Sequence, residues 1–210
     1  MTKRDRKEKS KHIPEKFKNP DVWQLSRKKF IRSIIVAGFL SNLPSIKIAG
    51  KTISETDKLS ANQLSIITSV QDILFPSDSN GPGSYDIMAD KYLLWVLSDE
   101  RMDPEEIEYI INGADWVDET AEENFSKPYL KLSQSEKETL IALISQEGWG
   151  SSWLSVILTF IFEALLSDPQ YGGNPEKIGW DWLNHNPGNP RPTDTLLYPK
   201  ILTTVSKNTD

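Results

Sequence analysis

Leu165-Leu166-Ser167-Asp168-Pro169-Gln170-Tyr171-Gly172-Gly173-Asn174-Pro175-Glu176-Lys177-Ile178-Gly179-Trp180-Asp181-Trp182 divides this 210-residue chain into two kinds of sequence. Before it, Ser152 to Leu166 is apolar nearly all round through Leu154, Val156, Ile157, Leu158, Phe160, Ile161 and Phe162, the mark of a helix enclosed at the centre of a small bundle. Pro169 ends that helix, having no N–H to donate and a ring that clashes with the preceding turn. Gly172-Gly173-Asn174 then offers positions that tolerate positive φ, so the chain reverses. Tyr171, Trp180 and Trp182 are large amphipathic rings in a turn-rich segment, and they need a surface to pack on, either the chain's own helices or another protein.

Working outward, four more helices precede the apolar one. The first begins at Ser60, carries Leu64, Ile67, Val70, Ile73 and Leu74 on one face and closes before Pro76. Residues 77 to 84, Ser-Asp-Ser-Asn-Gly-Pro-Gly-Ser, read as a flexible loop. They resemble a calcium loop in composition, but the ligand spacing and terminal Glu of an EF-hand are missing, and no metal is assigned. Ile87 to Leu97 repeats at helical spacing. Asp103-Pro104-Glu105-Glu106 supplies an N-cap, a proline at the first helical position and acids in the first turn of a helix that buries Ile107, Ile110, Ile111, Ala114 and Val117.

Ser133-Gln134-Ser135-Glu136 is a capping box for a helix carrying Leu140, Leu143 and Ile144, broken by Gly148-Trp149-Gly150. The apolar helix that follows is, from Ser152, too short for a hydrocarbon core of ~30 Å, and it contains Glu163, read as a partly exposed or hydrogen-bonded side chain. No alternating strand pattern and no internal repeat occurs. The expected fold is therefore all-α, a small helical bundle over residues 60–167 with an irregular, aromatic and Gly/Pro-rich C-terminal arm over 168–210.

Composition sets outer limits. With 38% hydrophobic residues and seven Trp the chain can bury a real core, and the absence of cysteine removes disulfides, thiolate nucleophiles, Cys-based zinc sites and the attachment motif of c-type haem. The net charge of −6 hides an asymmetry: residues 1–32 hold 12 Lys and Arg against 4 Asp and Glu, leaving the remainder at −14. An acidic domain without a basic face argues against nucleic acid as a partner, since phosphate neutralisation supplies most of that affinity.

Residues 1–25 are Lys-rich, poor in apolar residues and read as disordered. Next come Ser26-Arg27-Lys28-Lys29-Phe30-Ile31 and the apolar run Ser33 to Leu43, a basic region leading into a short hydrophobic one, which is the form of an export signal. Arg27-Lys28 with Phe30 resembles a twin-arginine signal in which Lys replaces the second Arg. A general secretory signal and a retained anchor share the same pattern. Residues 1–49 are thus expected to form a basic head and signal, and 50–59 a linker; the residues before Lys51 match a cleavage site poorly.

Catalytic groups are scarce. The two histidines are His12 in the head and His185 in the arm, and no partner carboxylate or nucleophile can be paired with His185 by spacing. No dinucleotide fingerprint, P-loop or HExxH motif occurs. Asp168 and Asp181 are both in the arm, but Asp168 beside Pro169 reads as a turn or capping residue rather than half of a catalytic carboxylate pair.

Asp168-Pro169-x-Tyr171-Gly172-Gly173-Asn174, followed by Gly179-Trp180 and Pro187-Gly188-x-Pro190, resembles the signature of the gluconate 2-dehydrogenase subunit 3 family over roughly Leu59 to Tyr198. That resemblance implies a non-catalytic small subunit of a periplasmic, FAD-dependent sugar or polyol dehydrogenase of the glucose-methanol-choline type. It implies FAD in a large partner subunit and none in this one, a c-type cytochrome as a further partner, and a role in maturation, export or stability of the catalytic subunit. The expected location is periplasmic, or membrane-associated through the complex or an uncleaved signal. Tyr171, Trp180 and Trp182, with Asp168, Gly172, Gly173, Asn174 and Gly179, are the expected turn and partner-contact residues. The competing reading is a solitary periplasmic carbohydrate-binding or hydrolytic protein that uses the aromatic arm as a sugar platform.

Overall fold

The computed structural model describes residues 11–18, 59–188, 193 and 196–202. Among them lie six α-helices and no strand: α1 (Ala61–Leu74), α2 (Ala89–Ser98), α3 (Pro104–Phe125), α4 (Gln134–Ile144), α5 (Gly148–Leu166) and α6 (Ile178–Leu183). The all-α bundle is thus observed. Helix starts follow local chemistry. Ser60 with Gln63 and Ser133 with Glu136 each form a reciprocal capping box, and the Asp103 carboxylate accepts from the Glu105 amide at 2.9 Å, with Pro104 at the first helical position.

Helix α5 touches each of the other five helices and is the axis of the bundle. Trp153, Leu154, Ile157, Ile161, Ala164 and Leu165 on it are wholly buried. The Trp153 indole donates to the Ile110 carbonyl at 3.0 Å and lies flat on α3 at Gly113, where an added Cβ would stand 1.9 Å from the indole nitrogen. Glycine in mid-helix, normally unfavourable by about 1 kcal/mol against alanine, is the condition for this close crossing.

Several expectations need correcting. Gly148-Trp149-Gly150 does not end α4; it forms the first turn of α5, because α4 already stops at Ser145 and the missing Cβ of Gly150 lets the new helix pass directly over the Ile144 carbonyl. The longer α5 is therefore long and apolar enough to cross a membrane by length and composition, although most of it is buried against its neighbours.

Residues 77–84 form an ordered turn. Asp78 and Gly81 exchange backbone hydrogen bonds, the Asp78 carboxylate accepts from the Asn80 amide at 2.7 Å, and Pro82, Gly83 and Ser84 are buried. On α1 the buried positions include Ile66 and Gln71, while Leu64, Ile73 and Leu74 are half-buried. On α4, Leu143 is exposed and Ile141 buried. In both cases the apolar stripe is turned by one position, which periodicity alone does not resolve.

The arm is not irregular at its start. Two 3-10 turns, Pro169–Tyr171 and Pro175–Lys177, lead into α6. Part of the basic head is also placed: residues 11–18 contain a 3-10 turn at Glu15–Phe17 packed on α5, whereas the sequence reads this stretch as disordered. Local composition is blind to aromatic surface that the folded bundle supplies. The expected signal residues Arg27, Lys28 and Phe30, and the linker over residues 50–58, lie outside the described residues.

Candidate functional site

The arm's first turn grows from the end of α5. Ser167 leaves the helix in an extended conformation, and the Asp168 carboxylate accepts from the Gln170 amide at 3.2 Å, the capping role its position beside Pro169 suggested. Gly172 follows at φ 89°, and a Cβ there would press on the Lys91 carbonyl at 3.2 Å. Gly173 lies 3.0 Å, by the same measure, from the Ala164 carbonyl. The glycine pair thus lets the reversing chain settle into the groove between α2 and α5.

Asn174 is the centre of the assembly. It is completely buried in a left-handed conformation, φ 52° and ψ 51°, which its short polar side chain tolerates better than most. Its amide donates to the Ile87 carbonyl at 2.8 Å, its side-chain nitrogen to the Ser167 carbonyl at 3.0 Å, its side-chain oxygen accepts from the Gly179 amide at 2.7 Å, and its carbonyl accepts from Lys177 at 3.0 Å. One residue therefore ties the turn before α2, the end of α5 and the start of α6. Gly179 must be glycine for this to close, since a Cβ would stand 2.3 Å from the Leu165 carbonyl.

Trp180 and Trp182 extend the tie in opposite directions. The Trp180 indole donates to the Leu166 carbonyl at 2.8 Å, and the residue is only 5% exposed. The Trp182 indole donates to the Asn80 carbonyl at 2.6 Å, its ring meets Phe75 edge-on at 6.2 Å, and Gly81 leaves room for it.

Asp168, Tyr171, Gly172, Gly173, Asn174, Gly179 and Trp180 thus act as one unit, and its pattern is that of a known family. A family model described as gluconate 2-dehydrogenase subunit 3 matches residues 61–188. This chain belongs to that family. No curated protein and no solved structure matches it. The gluconate 2-dehydrogenase subunit 3 match begins at α1 and ends just past α6, so it takes in the bundle and the tied part of the arm together and leaves out residues 11–18.

The family name denotes one subunit of a dehydrogenase complex, and the distribution of exposed and buried rings in this member bears on where partners can reach. Trp180 is closed off. Tyr171 is half-buried, with its ring 4.7 Å from Trp95, which in turn meets Tyr198 edge-on at 6.0 Å and Tyr92 at 5.7 Å. Tyr198 donates to the Asp99 carboxylate, so residues 196–202 are drawn over the same aromatic patch. Tyr85 and Met88 stand exposed on the turn that Asn174 holds through Ile87, and Met88 is itself left-handed at φ 52°.

Acid-base chemistry is limited. Glu163 accepts from the Tyr92 hydroxyl at 3.2 Å; burial raises its carboxyl above the ordinary range, and the Tyr92 hydrogen bond opposes that shift. Burial, with Glu163 alongside, also raises Tyr92. His185 sits edge-on to Trp180 at 6.2 Å, its amide donating to the Trp180 carbonyl at 2.8 Å. Among the described residues no three His, Asp or Glu side chains converge as metal ligands. The left-handed Glu176 and Lys177 were not legible in the sequence, as neither residue type signals positive φ.

Proposed function

We propose that this chain is the non-catalytic small subunit of a periplasmic, FAD-dependent sugar or polyol dehydrogenase of the glucose-methanol-choline type, and that it assists maturation, export or stability of the flavin-bearing subunit. Family membership over residues 61–188 is the observation that supports this reading. FAD belongs to the partner, and a c-type cytochrome completes the electron path. Arg27, Lys28 and Phe30 serve as a twin-arginine-type signal for the assembled pair, because flavin loading requires a folded partner and a route for folded cargo needs only one signal per complex.

The tied arm favours this over a solitary sugar-binding protein in one respect: Trp180 is spent on the Leu166 carbonyl and offers no open ring face for a sugar to stack on. The partner surface is assigned instead to Tyr171 and the exposed turn at Tyr85 and Met88. Co-expression with a candidate flavoprotein dehydrogenase of the glucose-methanol-choline type from the same genome tests the proposal. The dehydrogenase should co-purify with this chain, and Arg27→Ala with Lys28→Ala should strand both in the cytoplasm. Normal export of the dehydrogenase in that double variant would refute the shared signal, and sugar turnover by the isolated chain would move it to the enzyme class.

A further inference from the structure

Three tyrosines meet around Trp95. Its ring lies 5.7 Å from Tyr92, 4.7 Å from Tyr171 and 6.0 Å from Tyr198, so α2, the first turn of the arm and residues 196–202 each deliver a phenol to one indole. Centroid separations of this size put the π-systems in contact. Two of these phenols are paired with a base: the Tyr92 hydroxyl donates to the Glu163 carboxylate at 3.2 Å, and the Tyr198 hydroxyl donates to the Asp99 carboxylate. The two pairs lie at different depths. Tyr92 is 9% exposed, whereas Tyr198 is half-buried, with the Arg101 guanidinium 3.5 Å from its hydroxyl. Tyrosines elsewhere in the bundle meet neutral partners. The Tyr109 hydroxyl donates to the Trp149 carbonyl at 3.2 Å, and the Tyr129 hydroxyl lies 3.4 Å from that of Ser69. A carbonyl or an alcohol takes up no proton near neutral pH, while an ionised carboxylate can.

We propose that Tyr198, Trp95 and Tyr92 form a one-electron relay, which draws an oxidising equivalent from the surface at Tyr198 to the buried Tyr92–Glu163 pair. A phenol that loses an electron becomes a strong acid and sheds its proton, so a carboxylate already hydrogen-bonded to it makes the oxidation easier. A diffusible one-electron oxidant of the oxyl-radical class takes an electron from Tyr198, and the hydroxyl proton moves to Asp99. An electron then passes from Tyr92 through Trp95 to the Tyr198 radical, which recovers its proton from Asp99. Tyr92 gives its own proton to the Glu163 carboxylate. The net change is one electron lost from Tyr92, one proton gained by Glu163 and the oxidant reduced by one electron. Tunnelling decays exponentially with distance, so rings in contact through Trp95 exchange an electron far faster than aliphatic packing would permit. Burial holds the Glu163 carboxyl above its ordinary range, which makes its ionised form a stronger proton acceptor and favours Tyr92 as the end of the relay. There the radical is enclosed, away from the reagents that couple with surface tyrosyl radicals. The relay is a property of this chain alone and does not rest on the flavoprotein reading.

Flash photolysis of the full chain with tris(bipyridyl)ruthenium and persulfate, which generates ruthenium(III) as a one-electron oxidant in solution, tests the relay. Freeze-quenched wild-type protein should show the electron paramagnetic resonance signal of a neutral tyrosyl radical, assigned by its change on ring deuteration of tyrosine and long-lived because it is enclosed. Tyr92→Phe should remove that long-lived signal, and Tyr198→Phe and Trp95→Phe should each cut its yield several-fold. Glu163→Gln preserves the buried shape and a hydrogen-bond acceptor for Tyr92 but takes up no proton, so it should also abolish the signal in a fully folded protein. This variant separates a redox role from a packing role even where loss of a ring disturbs the fold. Absence of a long-lived tyrosyl signal in the wild type, its persistence in Tyr92→Phe or Glu163→Gln, or a wild-type yield in Tyr198→Phe or Trp95→Phe would each overturn the proposal.

Discussion

Two segments of this chain are laid over the bundle from opposite ends, and they are held by different physics. Residues 11–18 lie on Tyr109, Trp116 and Trp149 through one stacked ring, one cation and a buried proline. Residues 168–183 are tied through Asn174, the indoles of Trp180 and Trp182, and glycines that admit backbone to backbone. Around Asn174 and Trp180 the second set satisfies buried or part-buried polar groups, and breaking one of those bonds leaves a donor or acceptor stranded, a loss of about 1–3 kcal/mol each. The first set consists of ring stacking and cation–π attraction, each modest individually. The arm is therefore part of the folded unit and the head segment an attachment to it, which agrees with a family match that takes in the one and leaves out the other.

Substitutions can break or sharpen this contrast. Trp180→Ala removes a buried indole and strands the Leu166 carbonyl, so thermal unfolding should show a loss of roughly 3–5 kcal/mol. Only a small melting change would mean the ring is not the anchor its burial indicates. Asn174→Ala should cost about 2–4 kcal/mol, since the Gly179 amide and Ser167 carbonyl lose their partners and alanine is strained at positive φ. Denaturant titration measures it, and a value below 1 kcal/mol would show that the start of α6 is not tied through this residue.

At Lys177, left-handed at φ 67°, replacement by glycine should stabilise the fold by about 1 kcal/mol through relief of the steric cost. If the same variant also weakens co-purification of the dehydrogenase, the strain serves the partner rather than the fold. Phe17→Ala should cost under about 1 kcal/mol in global stability, because it loosens only the head segment. A cooperative loss as large as that of Trp180→Ala would erase the distinction between the two segments.

The smallest effect concerns Glu163, on the last turns of α5 under the arm. Its carboxyl is raised above the ordinary 4.5, so its contribution to stability is full below that pH and declines as pH rises through the folded-state value, the unfolded chain ionising first. Glu163→Gln should remove this slope, melting above the wild type at neutral pH and level with it below about pH 4. Parallel melting curves at all pH values would show that the Tyr92 hydrogen bond fully offsets burial.

The positions of the helices were legible because their signals are local: capping boxes at Ser60 and Ser133, Pro104 behind Asp103, Pro169 at the end of an apolar run. The turn at Gly172-Gly173-Asn174 was legible for the same reason, as was the likeness to the family through the motif built on it. The ordered loop at 77–84 was not, because beside its local Asp78–Gly81 and Asp78–Asn80 hydrogen bonds it is held by Trp182, about a hundred residues away, donating to Asn80.

Sequence by itself determined an all-α chain with a central apolar helix, a chain reversal after Leu166 and a charge-divided head, since helix caps, proline and hydrophobic periodicity act over a few residues. Tertiary structure alone decided that Gly148-Trp149-Gly150 begins a helix, that Trp180 is enclosed while Tyr171 stays half-open, that Asn174 joins three elements, and that Lys11 and Phe17 find rings on α3 and α5. Each of these depends on which surfaces meet across long separations, where the partner of a buried donor or an exposed ring is fixed by packing and carries no mark in its own neighbourhood of the chain.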